Sequence, residues 1–302
     1  MRPDGAHPER GSFVRDQVNA LRALDGLAIE LHELAGGIPA LVRAPMVLRR
    51  AYAGRRFDVV HAHFGLSAWP ALAVPARVHA LTVHGTDVHH PLTRALTASA
   101  LPFLDLVAAA SAPLAAQLPG AAARRNALVL PCGVDTERFR PLERGSSRRR
   151  LGLAVDAPCL LFPADPARHE KRHDRALALA GEVPLLTLGG VDPADAPLFV
   201  NAANAVLVPS EREGFGLAVL EALACDVPVL ATPVGVHAEA LAGIPGTLCA
   251  PFDARRWREA LVAHVQSADP RVAGRARAQE YSTVHFARRV AQAWRDALLT
   301  AG

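Results

Sequence analysis

Short apolar runs alternate with segments of helical periodicity along most of the chain. Apolar runs closed by Gly, Pro, Asp or His predict strands at Leu27–His32, Asp58–His63, His79–His84, Leu104–Ala110 and Ala127–Pro131. After a break, the same pattern returns at Cys159–Ala164, Pro184–Gly189, Asn204–Pro209, Pro228–Thr232 and Gly246–Ala250. The intervening segments read as helices, among them Phe13–Leu24, Glu170–Ala180, Phe215–Ala224 and Ala254–Val265. Strand–helix alternation predicts an α/β protein with parallel sheets covered by helices on both faces. The two sets of strands flank the stretch RFRPLERGSSRRRLGL, which has no apolar period, and this places a domain boundary near residues 141–155. The expected division is an N-terminal domain over 1–145, a C-terminal domain over 146–282, and a final helix, 283–302, packing back toward the first domain. Two such parallel sheets facing one another would leave a cleft, with ligands beyond the carboxyl ends of the strands.

Composition narrows the class. A length of 302 residues suits two domains, each with its own core. With 51% hydrophobic and 21% charged residues, the chain reads as folded rather than disordered. The net charge of +4 is mild, and the few aromatics are not interleaved with arginines, which argues against a nucleic-acid partner. Cys132, Cys159, Cys225 and Cys249 are scattered without a CxxC pair, as expected of reduced thiols in the cytoplasm. The polar opening MRPDGAHPER does not read as a signal peptide. The most apolar long stretch, LPFLDLVAAASAPLAAQL, is interrupted by Pro102, Asp105 and Pro113, so no membrane span is expected. Ala40–Phe57 mixes Leu, Val, Met and Tyr with five arginines. It is either a domain face with a basic rim or a peripheral contact with anionic lipid on the inner face of the membrane.

The chemistry begins at Lys171, the only lysine of the chain, in FPADPARHEKRHDRAL. A lone lysine among arginines is either a chance survivor or a required ammonium, a compact point charge where arginine is a planar fork. Lys171 follows a predicted strand at the start of a predicted helix, where backbone N–H groups carry partial positive charge. With Arg168 beside it, this is a plausible diphosphate site. A second candidate lies in PSEREGFGLAVLEALACDVPVLATPVGVHAEAL. Gly214 and Gly216 permit a tight entry into a helix. Glu213 stands in that turn, and Glu221 follows eight residues on. Eight residues at a helical rise span roughly 12 Å, too far for two carboxylates to act on one bond. They could hold two ends of one long ligand, or simply line a solvated helix face. His61, His63, His89 and His90 invite a zinc reading, but no Cys partner or HExxH helix supports it, and no DxD triad indicates a required divalent ion.

The segment Glu213-GFGLAVL-Glu221 followed by CDVPVLATPVG resembles the E-x7-E signature of retaining glycosyltransferases of the GT-B fold, family 4. DVVHAHFG, LTVHGTDV and VLPCGVDTERFRP are similar to the N-domain landmarks of that family, PARHEKR to its diphosphate loop, and GSFVRDQVNALRALDG to its first glycine loop and helix. The resemblance implies two Rossmann-like doubly wound domains facing across a cleft. It implies transfer of a sugar from a UDP- or GDP-linked donor to a glycan, lipid-linked or small-molecule acceptor, with retained configuration and without cofactor or metal. Glu213 would face the transferred sugar, Glu221 the ribose hydroxyls, and the backbone of Gly214, Phe215 and Gly216 the sugar and phosphates. Arg168 and Lys171 would neutralise the leaving diphosphate, His84 would approach the sugar, and Gly11 would let the first loop near the phosphates. The alternative is a degenerate paralogue that binds nucleotide or glycan without turnover.

Departures from the pattern are Cys132 where asparagine is expected before GVD, a diphosphate loop one residue longer, and a short Leu188–Phe199 segment near the expected nucleobase position. An apolar strand is also expected ahead of Gly11. Its absence from the written sequence suggests a misplaced start codon or a damaged paralogue, with lower solubility and heat stability than an extended chain.

Overall fold

The computed structural model describes residues 11–301; the strand expected ahead of Gly11 lies outside them. The chain divides into two compact units. The first takes Phe13–Cys132 and the C-terminal segment from Val284, and the second takes Gly133–Thr283.

In the first unit, β1 (Phe57–His63), β2 (Ala76–Val83), β3 (Leu106–Ala109) and β4 (Leu128–Val129) form a parallel sheet in the order β1-β2-β3-β4. Register sets His61 beside Ala80 and Ala80 beside Leu106. Leu27–His32 has the apolar alternation of a strand but pairs with none among the described residues. Leu27 and Ile29 instead pack against the core formed by Leu21, Ala80, Leu106, Ala108 and Leu130. Burial of the apolar side chains satisfies the pattern there without a backbone ladder. The helix Thr283–Thr300 closes the same core through Phe286, Ala287, Val290 and Ala291.

In the second unit, β5 (Leu160–Phe162), β6 (Leu185–Thr187), β7 (Ala205–Val208), β8 (Val229–Ala231) and β9 (Leu248–Cys249) form a parallel sheet in the order β6-β5-β7-β8-β9. These strands are short and, at β5, β7 and β8, apolar throughout and buried along their whole length, as a sheet covered on both faces requires. Trp257 and Leu261 on the helix Ala254–Gln266 cover one face with Leu179 and Ala180. Within residues 141–155, expected as a polar junction, Arg144–Arg150 form a helix capped by the Glu143 carboxylate. Two of its arginines point inward. Arg148 donates to the Ala202 and Val155 carbonyls at 3.0 and 2.6 Å and to Asn204 Oδ1 at 2.7 Å. The segment shows no apolar period because its long buried side chains are guanidiniums that donate mainly to backbone oxygens.

The chain leaves β5 toward β6 on one side and reaches β7 on the other, so the crossover direction reverses between β5 and β7. At such a switch point the loops after the two strands splay apart and leave a crevice at their carboxyl ends. Those loops are residues 163–172 and 209–216, which hold the two stretches singled out for their chemistry.

Candidate functional site

The loop after β5 runs through a short 3-10 turn, His169–Lys171, and breaks at Arg172, a left-handed residue with φ 58°, before the helix His173–Ala180. The helix therefore starts later than the periodicity suggested, and Lys171 sits in the turn ahead of it. The loop after β7 passes Ser210 and Glu213 and enters the helix Leu217–Ala224 at Gly216, φ 108°. The Glu211 amide donates to the Glu170 carbonyl at 2.9 Å and joins the two loops.

Across this join, Lys171 Nζ donates to both oxygens of Glu213, at 2.7 and 2.5 Å. Both side chains are largely buried, with 14% and 9% of their surface exposed. Ser210 Oγ donates to Glu213 Oε1 at 2.8 Å, and Thr232 Oγ1 donates to the Ser210 carbonyl, anchoring the turn to β8. Burial works to raise the Glu213 carboxyl, but the Lys171 charge, then His237 and the hydrogen bonds from Lys171 and Ser210, outweigh it and hold the pKa below the ordinary value.

Arg168 does not converge on this pair. It is exposed, and its guanidinium is turned onto Glu170 Oε1 at 2.7 and 3.0 Å. Phe215 is buried, its ring 6.3 Å from that of Tyr281, so only its backbone is available to a ligand. Gly216 has a packing reason on the protein side, because a Cβ there would stand 2.4 Å from His237 Nε2. Gly235 is equally constrained, since a Cβ would meet the Phe215 carbonyl at 2.2 Å. Glu221 is half-buried on the second turn of Leu217–Ala224.

In the first unit, His84 follows β2 and belongs to a ladder of rings. His84 Nε2 lies 3.0 Å from His63 Nδ1, and Cys132 Sγ lies 3.8 Å from His84 Nδ1. His61 stacks on His63 at 4.8 Å, takes a hydrogen bond from Trp294 Nε1 at 3.0 Å, and contacts Thr82 Oγ1 at 2.8 Å. Phe13 and Phe64 flank His84, each 4.8 Å from its ring. Burial pushes the His84 and His61 imidazoles well below their ordinary value, and His63 down to about 4. Burial also pushes the Cys132 thiol up to about 12, so cysteine at this position presents an S–H and not a thiolate. Both ring nitrogens of His61 and Nδ1 of His63 are thus engaged with neighbouring side chains. Among the described residues, no group of three or more His, Cys, Asp or Glu is arranged to hold a metal. Gly11 takes φ 70° just ahead of the helix Ser12–Arg22.

Ser210, Thr232 and His237 are parts of the Glu213 site that sequence reasoning passed over. Only the fold brings them there, since a serine beside Pro209 and a histidine in GVHAEAL carry no local signal.

The family model described as glycosyl transferases group 1 matches residues 159–280, and that of glycosyltransferase family 4 matches residues 4–138. A D-inositol 3-phosphate glycosyltransferase of Actinosynnema mirum is 31% identical over 291 residues, covering 77% of this chain and 70% of that protein. One from Frankia alni is 30% identical over 275 residues, covering 70% of this chain and 67% of that protein. Among solved structures, the sucrose-phosphate synthase of Thermosynechococcus elongatus superposes with a TM-score of 0.70 at 20% identity, over 96% of this chain and 93% of that one. HepE of Anabaena, in complex with UDP and glucose, superposes with a TM-score of 0.71 at 15% identity, over 96% and 97%. At these identities the structural likeness establishes the fold.

Proposed function

The chain belongs to the glycosyltransferases of family 4, group 1, and on that premise we propose that it moves a sugar from a nucleoside diphosphate to an acceptor hydroxyl, with retained configuration and without a metal. The observation that carries this reading is the Lys171–Glu213 pair at the switch point between β5 and β7, beside the N-terminus of Leu217–Ala224. A diphosphate at that crevice meets an ammonium and the free N–H groups of a helix start. Lys171 neutralises the leaving diphosphate, and the backbone of Gly214, Phe215 and Gly216 cradles its phosphates and the sugar. Glu213 accepts hydrogen bonds from the sugar hydroxyls, and Glu221 from those of the ribose. Transfer takes place on the face from which the phosphate departs, and a phosphate oxygen receives the acceptor proton as the new glycosidic bond forms. The chain's own contribution is therefore a fixed electrostatic frame around developing charge. His84, kept neutral by burial, offers a ring nitrogen to the sugar once its contact with His63 or Cys132 opens. Gly11 brings the first loop to the phosphates. Arg168 is exposed and turned onto Glu170, whereas Lys171 is largely buried at the switch point itself, so Lys171 is the first ligand of the diphosphate.

The base of the donor is uracil or guanine. Two relatives are named for D-inositol 3-phosphate, so a polyol phosphate is the acceptor to test first. Peripheral contact with anionic lipid through Ala40–Phe57 is supported by the helix Ile38–Ala51, where Ile38, Val42 and Met46 are exposed one turn apart beside Arg43, Arg49 and Arg50. Among the described residues, no helix is long and apolar enough to cross a membrane. Assay of nucleotide release across UDP- and GDP-sugars with inositol phosphates tests the reading. Lack of release together with lack of UDP or GDP binding would overturn it and would favour a paralogue that binds glycan alone.

A further inference from the structure

His237 opens the short helix His237–Leu241 with its ring fully buried. Nδ1 lies 2.9 Å from the Thr232 carbonyl. A carbonyl only accepts, so Nδ1 carries the proton, and Nε2 of the neutral ring is a bare lone pair. That lone pair has no hydrogen-bond partner and is pressed against Gly216. An apolar side chain could fill the same space without burying an unsatisfied acceptor, which is costly to leave unmade. The turn that the ring supports carries Glu213. Gly235, two residues before His237, lies so close that a Cβ there would stand 3.0 Å from Glu213 Cβ. The charges facing the ring are Glu213 from the turn after β7 and Lys171 from the loop after β5. From the loop leading into its own helix it meets only the Thr232 carbonyl. Burial holds the imidazole below its ordinary value, Glu213 opposes this, and Lys171 reinforces it.

Two groups are thus able to balance Glu213, and in this structure the ammonium is the one in hydrogen-bond contact with it. If Lys171 turns toward a diphosphate, the carboxylate loses its cation while still buried, and the ring loses a repelling charge. We propose that His237 is a positioning residue that takes over Glu213 when a nucleoside diphosphate arrives at Lys171: Nε2 takes one proton from solvent, and the imidazolium replaces the ammonium as the counter-charge that keeps Glu213 ionised and in place. No other bond changes, and the protein gains one positive charge. The inference rests on the reading of Lys171 as the diphosphate ligand.

Calorimetry of UDP and GDP binding, at one pH near neutral in two buffers of different protonation heat, counts the protons taken up. The wild-type protein is expected to take up a fractional proton per nucleotide bound. His237→Asn, which keeps a donor for the Thr232 carbonyl but cannot titrate, is expected to take up correspondingly fewer. Should that variant fail to fold, NMR of the histidine ring in two intact proteins decides. Its titration midpoint is expected to rise by about one pH unit or more when UDP is added to wild type, and also in Lys171→Met without nucleotide. Binding with equal proton counts in both proteins, or a midpoint unmoved by UDP and by Lys171→Met, overturns the role of His237 and leaves the donor site standing. Absence of binding by either nucleotide overturns the donor site itself.

Discussion

Replacing Lys171 by Met removes the ammonium and leaves Glu213 behind. The carboxylate is 9% exposed and held by two contacts to Nζ, at 2.7 and 2.5 Å. Removing one partner of a buried ion pair typically costs about 3–5 kcal/mol, because the other charge stays buried and uncompensated. Here Glu213 keeps the Ser210 hydroxyl at 2.8 Å. That retained bond lowers the expected loss to about 2–4 kcal/mol. The double variant Lys171→Met/Glu213→Leu removes both charges and should return to within about 1 kcal/mol of wild type. The pH dependence follows from the direction of the Glu213 shift. Its folded pKa lies below the ordinary value of 4.5, so the pair stabilises the fold above the unfolded value, and that stability is lost as pH falls through the lower folded value. In Lys171→Met, burial is opposed only by the Ser210 hydroxyl and the His237 ring, and the carboxyl protonates more readily than in wild type. The deficit of the single variant should therefore be largest near neutral pH and shrink as pH falls and the carboxyl becomes neutral, first in the variant and then in wild type. Urea titrations followed by circular dichroism at several pH values measure this. A loss under about 0.5 kcal/mol at neutral pH, or a double variant as unstable as the single one, would refute the claim that the two charges are a buried, mutually dependent pair.

Lys171→Arg keeps the charge but replaces a point cation with a fork, so turnover should fall although the fold survives, and steady-state nucleotide release checks it. Glu221→Ala should weaken UDP binding by about tenfold or more, through lost hydrogen bonds to a charged acceptor, while Glu213→Ala should mainly lower kcat; unchanged UDP affinity in Glu221→Ala removes the ribose assignment. Gly216→Ala forces a Cβ to 2.4 Å from the His237 ring at φ 108°, and should destabilise the fold by at least about 1 kcal/mol in the same urea titration. Cys132, buried with its thiol pushed up to about 12, should resist a disulfide reagent in the native protein and react once urea exposes it.

Much of the second unit is legible from its apolar runs, because parallel strands buried on both faces admit little but Val, Leu and Ala. Lys171 and Glu213 could each be picked from local sequence, one by its rarity and the other by its glycine-rich turn. Their pairing could not, because it depends on the reversal between β5 and β7 that brings residues 42 positions apart into contact. Arg168 shows the limit of counting charges, since Glu170 two residues on captures its guanidinium. Leu27–His32 shows the limit of alternation, which reports burial of one face and says nothing of a pairing partner. Arg144 and Arg148 look solvated in sequence, yet inside the unit both are buried and donate to backbone carbonyls. His237 has no signal at all until Gly216 is seen against its ring.

The most direct test of the central claim is proton NMR of the anomeric signal during incubation of the chain with α-linked UDP- or GDP-sugars and an inositol phosphate. The expected result is nucleoside diphosphate release matched by an α-linked product, abolished in Glu213→Ala. A β-linked product would contradict front-face transfer, and an α-linked product formed equally well by Glu213→Ala and Lys171→Ala would contradict the site.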